Sequence, residues 1–184
     1  AGQIVVEPMP LSDRLPSNSV QRIFQDKEGF IWLGTLDGIC RYDAYNMLVF
    51  RSGVNNSSLL TNNEITFITE DEGNRLFIGT KKGVNILDKE TCRIVPMQHN
   101  EILEQEIRSI LVDADGYVWI GTLTWVYRFS PDLSSWKKFD HELPITSVNS
   151  IYQDDKGNVW VALWNEGLHK YNPQKNTFER QPRI

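Results

Sequence analysis

One segment of this chain recurs four times, and that repetition restricts the folds available to it. The first copy runs from Val20 to Tyr42, and later copies begin at Ile65, Ile107 and Val148. In every copy an aspartate precedes an aromatic residue by six positions: Asp26 and Trp32, Asp71 and Phe77, Asp113 and Trp119, and Asp154 and Trp160. The aromatic residues lie 45, 42 and 41 positions apart. A period of about 40–45 residues with several short strands per copy predicts an array of β-propeller blades.

Each copy predicts four short strands joined by tight turns. In the first copy these strands cover residues 20–25, 30–35, 39–43 and 47–51. Gly29 closes the first turn, and the second copy has Asn74 there, the non-glycine residue that best tolerates the left-handed region. A small sheet with two apolar faces must stack on neighbours to bury both. We therefore predict an all-β fold of four β-propeller blades, each of four antiparallel strands, forming a partial, open propeller.

The repeats also divide the chain. Residues 1–19 form an N-terminal lead-in, in which Ile4–Val6 is a candidate closing strand. The blades with their connectors are predicted at 20–63, 64–106, 107–147 and 148–184. Helix-favouring composition is confined to Glu101–Glu106, which is too short to predict a stable helix.

Composition narrows the classes of function. The chain has 184 residues and a net charge of −5, and its longest basic run is Lys81-Lys82, so we predict no nucleic acid contact. No apolar run approaches the ~18–20 residues of a membrane span. Cys40 and Cys92 fall at different strand positions and form no CxxC motif, so they are predicted to be free thiols.

The first copy resembles a known repeat. Its residues fit the pattern V-x-x-I-x-x-D-x-x-G-x-x-W-x-G-T-x-x-G-x-x-R-Y of the two-component regulator propeller repeat, and the similarity covers about residues 11–180. The resemblance implies the N-terminal periplasmic sensor propeller of a hybrid two-component system histidine kinase of the inner membrane. It also implies an oligosaccharide ligand, control of glycan-utilisation genes, and partners in the remaining blades and a second propeller. Family propellers usually have seven blades.

Residues that depart from the repeat are candidates for binding. Trp125 and Trp164 occupy equivalent turns after the second strand of adjacent blades, and Asn165 and Glu166 follow the latter. Indole faces stack on sugar rings, and the two polar side chains offer hydrogen bonds to hydroxyl groups. The alternative is that both tryptophans fold over a blade edge as ordinary packing.

A second candidate set lies on the first strand of each blade, the strand expected nearest the propeller axis. Its polar members are Arg22, Arg108 and Asn149, together with Gln21 and Thr66. A channel lined by these side chains is suited to an anionic or hydroxylated ligand. The alternative is a solvated channel lining, since propeller channels are filled with water by default.

The sequence gives little support for catalysis or metal binding. The recurring aspartates stand one per blade beside a turn, which favours a turn-stabilising hydrogen bond over a metal site. His99, His141 and His169 are scattered and have no recurring nucleophile or acid beside them. We predict no catalytic residues, no metal and no cofactor in this segment.

Three functions therefore compete: a ligand-sensing propeller, a structural or protein-interaction propeller whose sensor binds ligand elsewhere, and a propeller enzyme. Fold alone does not choose among them, and the resemblance favours the first. A ring built for seven blades leaves exposed faces when four are present. We therefore also expect the segment to self-associate, or the full sensor to dimerise.

Overall fold

The computed structural model describes residues 9–52 and 60–182, and within them sixteen strands and two short helical turns. A 3₁₀ turn covers Ser12–Arg14 and a helix, α1, covers Asn100–Leu103. The strands are β1 Val20–Gln25, β2 Ile31–Thr35, β3 Gly38–Tyr42, β4 Met47–Phe50, β5 Ile65–Glu70, β6 Arg75–Thr80, β7 Val84–Asp88, β8 Arg93–Pro96, β9 Ile107–Val112, β10 Val118–Thr122, β11 Val126–Phe129, β12 Trp136–Lys138, β13 Val148–Gln153, β14 Val159–Leu163, β15 Gly167–Asn172 and β16 Thr177–Arg180. Residues 4–6, the candidate closing strand, lie outside the described part.

The strands form four sheets of four, and each sheet pairs its strands antiparallel in chain order. We call these sheets blades 1 to 4. The first strands of successive blades lie side by side, β1 on β5, β5 on β9 and β9 on β13, which puts them innermost. Within the described residues the sheets do not close into a ring. The predicted all-β fold of four blades in an open propeller is therefore confirmed.

The structure adds one short helix. We predicted almost no helix and considered Glu101–Glu106 too short to be stable, and Asn100–Leu103 form one helical turn in the connector before blade 3. His99 caps it, since the Nδ1 atom of its ring accepts a hydrogen bond from the backbone N–H of Ile102 at 3.3 Å. Ile102 is fully buried. Tertiary packing of this one apolar side chain, together with the cap, supports a turn too short to persist alone.

The recurring aspartates stabilise the first turn of each blade, as predicted. The Oδ1 atom of Asp26 accepts hydrogen bonds from the backbone N–H groups of Glu28 (3.1 Å) and Phe30 (2.9 Å). Its Oδ2 atom accepts another from the indole Nε1–H of Trp32 at 2.8 Å. Asp113 and Asp154 repeat this arrangement in blades 3 and 4. The six-residue spacing therefore joins the turn to the core aromatic residue by a hydrogen bond.

Blade 2 satisfies the same aspartate differently. Phe77 replaces tryptophan there, and its side chain has no N–H to donate. Arg75 takes over, and its Nε atom donates to the Oδ2 atom of Asp71 at 2.5 Å. The substitution of the aromatic residue is thus matched by a basic residue two positions earlier in the chain.

Acid should weaken the blade 4 turn. Hydrogen bonds from the side chain of Asn158 and then from the indole of Trp160 lower the pKa of Asp154 to about 2. Because the folded pKa lies below the unfolded value of about 3.9, the stabilisation is present above pH 4 and is lost as the pH falls towards 2. We expect Asp154→Asn to remove part of the pH dependence of unfolding between pH 4 and pH 2.

Chemical denaturation at a series of pH values measures this effect, and Asp155→Asn, at the exposed neighbouring position, is the matched control. Equal pH dependence in Asp154→Asn and the wild type would contradict the assignment.

Candidate functional site

The candidate residues lie on one face of the propeller. The turns between the second and third strands hydrogen-bond to the connectors that enter the first strands: Leu36 to Ser19 (3.2 Å), Lys81 to Glu64 (3.1 Å) and Trp164 to Ser147 (2.9 Å). We call this side the turn face. It carries the turns that contain the two candidate tryptophans, and the innermost strands begin there.

A small depression opens near the axis on the turn face, with a volume of about 130 Å³. We call it the axial concavity. It brings together the candidate residues Arg22 of blade 1 and Arg108 of blade 3, with Thr66 of blade 2 between them. Its complete lining is Gln21, Arg22, Glu64, Ile65, Thr66, Lys81, Glu106, Ile107 and Arg108.

Charges in the axial concavity are mostly paired. Glu106 bridges two cations, with the Nζ atom of Lys81 at 3.2 Å and the Nη1 atom of Arg108 at 3.2 Å. Lys81 also lies 3.7 Å from Glu64. Arg22 differs, since its Nη1 atom donates to the backbone carbonyl of Gln21 at 2.9 Å. Among the described residues no carboxylate pairs with Arg22, which leaves its guanidinium available to an incoming acceptor.

One polar atom beside the axial concavity lacks a partner. The hydroxyl oxygen of Thr66 is buried and makes no hydrogen bond to any described residue. A buried hydroxyl without a partner is unfavourable. Because this oxygen has almost no accessible surface, Thr66 does not present it to the axial concavity, and the arginine side chains beside it are the hydrogen-bond donors that a ligand would meet.

The remaining candidates lie outside the axial concavity. Asn149 is exposed on β13, at the position that corresponds to Arg108 one blade earlier. Trp125 is half-buried against the apolar core of blade 3, and the Nζ atom of Lys138 lies 4.7 Å from its ring centre. The surroundings of Trp125 are therefore those of ordinary packing, the alternative considered above for both tryptophans.

Trp164 is different, with 59% of its surface exposed. Asn165 follows it in the left-handed conformation at φ 59°, and Glu166 lies 3.4 Å from Arg180. The turn of blade 4 thus presents an indole, an amide and an ion pair to solvent. The structure does not bring these groups to the axial concavity.

The sequence analysis did not identify Lys81, Glu64 and Glu106, whose ion pairs neutralise most of the charge in the axial concavity. A repeat-based indication was present for the two glutamates. Each immediately precedes the first residue of an innermost strand, the position taken by Ser19 and Ser147 in the other two blades. Lys81 stands in the turn after the second strand of blade 2.

Other titratable groups are not assembled into a site. Both cysteines are free, and burial raises the pKa of the Cys40 thiol to about 11. Burial, and then the charge of Arg180, lowers the pKa of His169, which does not line the axial concavity. In the described part of the chain, no three His, Cys, Asp or Glu residues are arranged to hold a metal ion. Over the same residues, no helix has the length and apolarity needed to cross a bilayer.

Comparison with known families identifies the repeat. The model of the two-component regulator propeller matches residues 14–37, 101–124 and 142–165, which lie on blades 1, 3 and 4. Blades 1, 3 and 4 thus carry the two-component regulator propeller repeat. In blade 2, where Phe77 and Asn74 replace the tryptophan and glycine of blade 1, the repeat departs furthest from the pattern.

The proteins that are similar to this chain include a histidine kinase. Histidine kinase P4 of Formosa agariphila is 31% identical over 181 residues, which is 90% of this chain and 13% of the relative. The extracellular domain of a protein assigned as the hybrid two component system BT4673, from B. thetaiotaomicron, is 26% identical, with a TM-score of 0.74 over 90% of this chain and 22% of that domain. The chain therefore spans a small part of each protein.

The fold is also shared with an enzyme. A streptogramin B lyase superimposes with a TM-score of 0.73 over 96% of this chain and 58% of the lyase, at 13% identity. At that identity the likeness shows the propeller fold alone. By contrast, the chain is of the propeller type found in extracellular domains of hybrid two-component sensors.

Proposed function

We propose that this propeller segment belongs to the extracytoplasmic, periplasmic sensor region of an inner-membrane hybrid two-component histidine kinase and contributes to oligosaccharide recognition without catalysis. The observation that carries the sensor role is the similarity over 90% of the chain both to a histidine kinase and to the extracellular domain of a hybrid two-component system. Ligand binding regulates such a sensor only if its two signalling states differ in affinity. Control of glycan-utilisation genes would follow from that difference.

The turn face is the proposed recognition surface. Arg22 and Arg108 lie around one concavity and offer charge-assisted hydrogen bonds. Oligosaccharides carry many hydroxyl groups, some with a carboxylate or sulfate, and both chemistries suit these donors. Trp164, exposed on the same face, adds an aromatic surface on which a sugar ring can stack.

A structural or protein-interaction role is the second candidate. Two observations favour it: the axial concavity, at about 130 Å³, is smaller than the ~300 Å³ at which small-molecule pockets usually begin, and Lys81 and Arg108 are already paired with Glu106. In this alternative the ligand site of the sensor lies beyond this segment, and the paired side chains organise the channel wall.

Calorimetric titration of the 184-residue chain with plant, host and microbial oligosaccharides distinguishes the two roles. We expect one glycan class to bind and the double variant Arg22→Ala, Arg108→Ala to weaken its affinity at least tenfold, since a hydrogen bond to a charged group contributes about 1.5–3 kcal/mol. Arg93→Ala, on the exposed outer strand β8, is the matched control and should bind like the wild type.

The double variant Trp125→Ala, Trp164→Ala tests the aromatic residues separately, with circular dichroism confirming that each variant is folded. If no glycan binds the wild-type chain at millimolar concentration, the recognition proposal is wrong and the structural role is favoured. Equal binding by the wild type and the arginine variant would exclude the axial concavity from the recognition surface.

A further inference from the structure

The three interfaces between blades share one steric contact. We call the first residue of each innermost strand the lead residue: Val20, Ile65, Ile107 and Val148. Each lead residue of blades 2 to 4 packs against a glycine on the second strand of the preceding blade, where no side chain intervenes. A Cβ atom built on these glycines would lie 2.5 Å from Ile65 Cγ2 at Gly34, 2.8 Å from Ile107 Cγ2 at Gly79 and 2.8 Å from Val148 Cβ at Gly121.

Such distances are closer than carbon atoms can approach, so each interface requires glycine at this position of the second strand. We call this position the glycine slot. The lead residues gain by the contact, because Ile65, Ile107 and Val148 are 0–1% exposed. The glycine slot thus lets a large, β-branched lead residue be buried between two blades.

Blade 1 carries the same lead-residue face, but uncovered. Val20 is 36% exposed and Ile23 is 72% exposed, whereas Ile68, Ile110 and Ile151, at the position of Ile23 in the other blades, are 3–6% exposed. The backbone is the same too, since the register shifts between Val20 and Arg22 as it does after the lead residues Ile65 and Val148. Blade 1 is therefore shaped to dock on the glycine face of another blade.

At the other end, the second-strand face of blade 4 is also uncovered. A hollow of about 290 Å³ lies on it, lined by Ser150, Tyr152, Trp160, Ala162 and Leu168. The aromatic residues at the position of Trp160, namely Trp32, Phe77 and Trp119, are buried to 0–1% exposure by the blade that follows each. The hollow lies where a following blade covers the equivalent face of blades 1 to 3. We therefore infer that its occupant is another four-stranded blade.

In blade 4 an alanine, Ala162, takes the position of the slot glycine. Ala162 pairs with Ser150 on one neighbouring strand and Leu168 on the other, and Gly34 pairs in the same way with Arg22 and Ile39. A β-branched lead residue docked in the usual register would meet the methyl group of Ala162 as closely as Ile65 would meet a methyl group at Gly34. The face therefore has the apolar character of an interface but a different steric requirement.

We propose that Ala162 determines which blade can pack on blade 4: one whose lead residue is glycine, and not blade 1 of a second copy of this chain. The predicted self-association is thereby restricted, because head-to-tail docking of Val20 on blade 4 is blocked. This specificity is independent of any ligand and does not rest on the proposed sensor role.

Sedimentation equilibrium of the wild-type chain, Ala162→Gly and Val20→Gly tests the proposal. We expect the wild type to be monomeric, and both variants, each of which removes the clash from one side, to self-associate at least tenfold more strongly. The Val20→Gly result is diagnostic because removing exposed apolar surface ordinarily weakens association. Adding Ile23→Ala to Ala162→Gly should return it towards monomer, because Ile23 would be buried in the new interface.

Both single substitutions lie on exposed blade faces, and a near-ultraviolet circular dichroism spectrum like that of the wild type shows that each variant is folded. The proposal is overturned if the wild type associates as strongly as the variants, or if Ala162→Gly stays monomeric. Either result would mean that the methyl group of Ala162 does not control docking at this face.

Discussion

Replacing Lys89 with methionine is expected to lower the free energy of unfolding by about 3–5 kcal/mol, the cost of leaving buried charge unpaired. The side chain of Lys89 is 4% exposed, and its Nζ atom lies 2.7 Å from Glu70 Oε2, 3.2 Å from Glu28 Oε2 and 3.9 Å from Asp26 Oδ2. The variant would leave the carboxylates of Asp26 and Glu70, themselves buried, without their cation.

This cluster joins two blades. Lys89 and Glu70 belong to blade 2, whereas Asp26 and Glu28 belong to the first turn of blade 1. Burial alone would lower the pKa of Lys89, but hydrogen bonds to Glu70 and Glu28 and the charges of Glu70 and Asp26 outweigh it and raise the pKa. The ammonium group is therefore charged throughout the neutral range, and the stabilisation is lost only as the pH rises through that raised value.

Denaturant unfolding of Lys89→Met measures the loss, and Lys82→Met is the matched control because its partner, Glu104, is exposed and 3.5 Å away. The control should cost less than about 1 kcal/mol. Adding Glu70→Gln to Lys89→Met should recover part of the stability, since it removes one of the unpaired charges. A loss in Lys89→Met no larger than in the control would show that the buried cluster does not hold blades 1 and 2 together.

Replacing Gly34 with alanine is expected to lower the free energy of unfolding by about 1–3 kcal/mol, the usual cost of overpacking a core. The added methyl group would lie 2.5 Å from Ile65 Cγ2 and 3.2 Å from Ile68 Cδ1, both buried in the interface of blades 1 and 2. Ordinarily alanine stabilises a strand relative to glycine by reducing the entropy of the unfolded chain. The sign of the change is therefore set by the contact between blades.

Thermal and denaturant unfolding of Gly34→Ala measure this effect. Gly73→Ala is the matched control, since a Cβ there would meet only Asp71 at an ordinary 3.5 Å. Adding Ile65→Ala to Gly34→Ala should cost less than the sum of the two single substitutions, because the second removes the atoms that the first displaces. A stability of Gly34→Ala equal to or above that of the wild type would contradict the packing described here and weaken the argument from Ala162.

Much of the fold follows from the repeat. The spacing of Asp26 and the core aromatic residue, copied four times, predicts the turns, the core aromatic residues and the number of blades, because in every copy the aspartate accepts the same backbone hydrogen bonds in its turn. The helical turn at Asn100–Leu103 was missed since its stability comes from the burial of Ile102 and not from local propensity. Lys89 reads as an exposed turn residue, and only the approach of blade 1 buries it.

The candidate site was predicted less completely. That Arg22 and Arg108 share one concavity followed from their placement on innermost strands, whereas Trp125 and Trp164 occupy equivalent turns with different surroundings. Trp125 packs on the core of its blade, and Trp164 stands in solvent. The position of a residue in a repeat predicts its place in the backbone of the blade. It does not predict which residues pack over its side chain, because those come from the neighbouring connector and blade.

By itself the sequence determined the strand order, the turn chemistry and the identity of the repeat, because these depend on residues within about 20 positions of each other. The tertiary structure decided what lies between blades: the contacts of Lys89 with Asp26 and Glu28, the pairing of Lys81 with Glu106, and the different slots at Gly34 and Ala162. These contacts depend on residues far apart in the chain, and their energies depend on distances that only the stacking of the sheets sets.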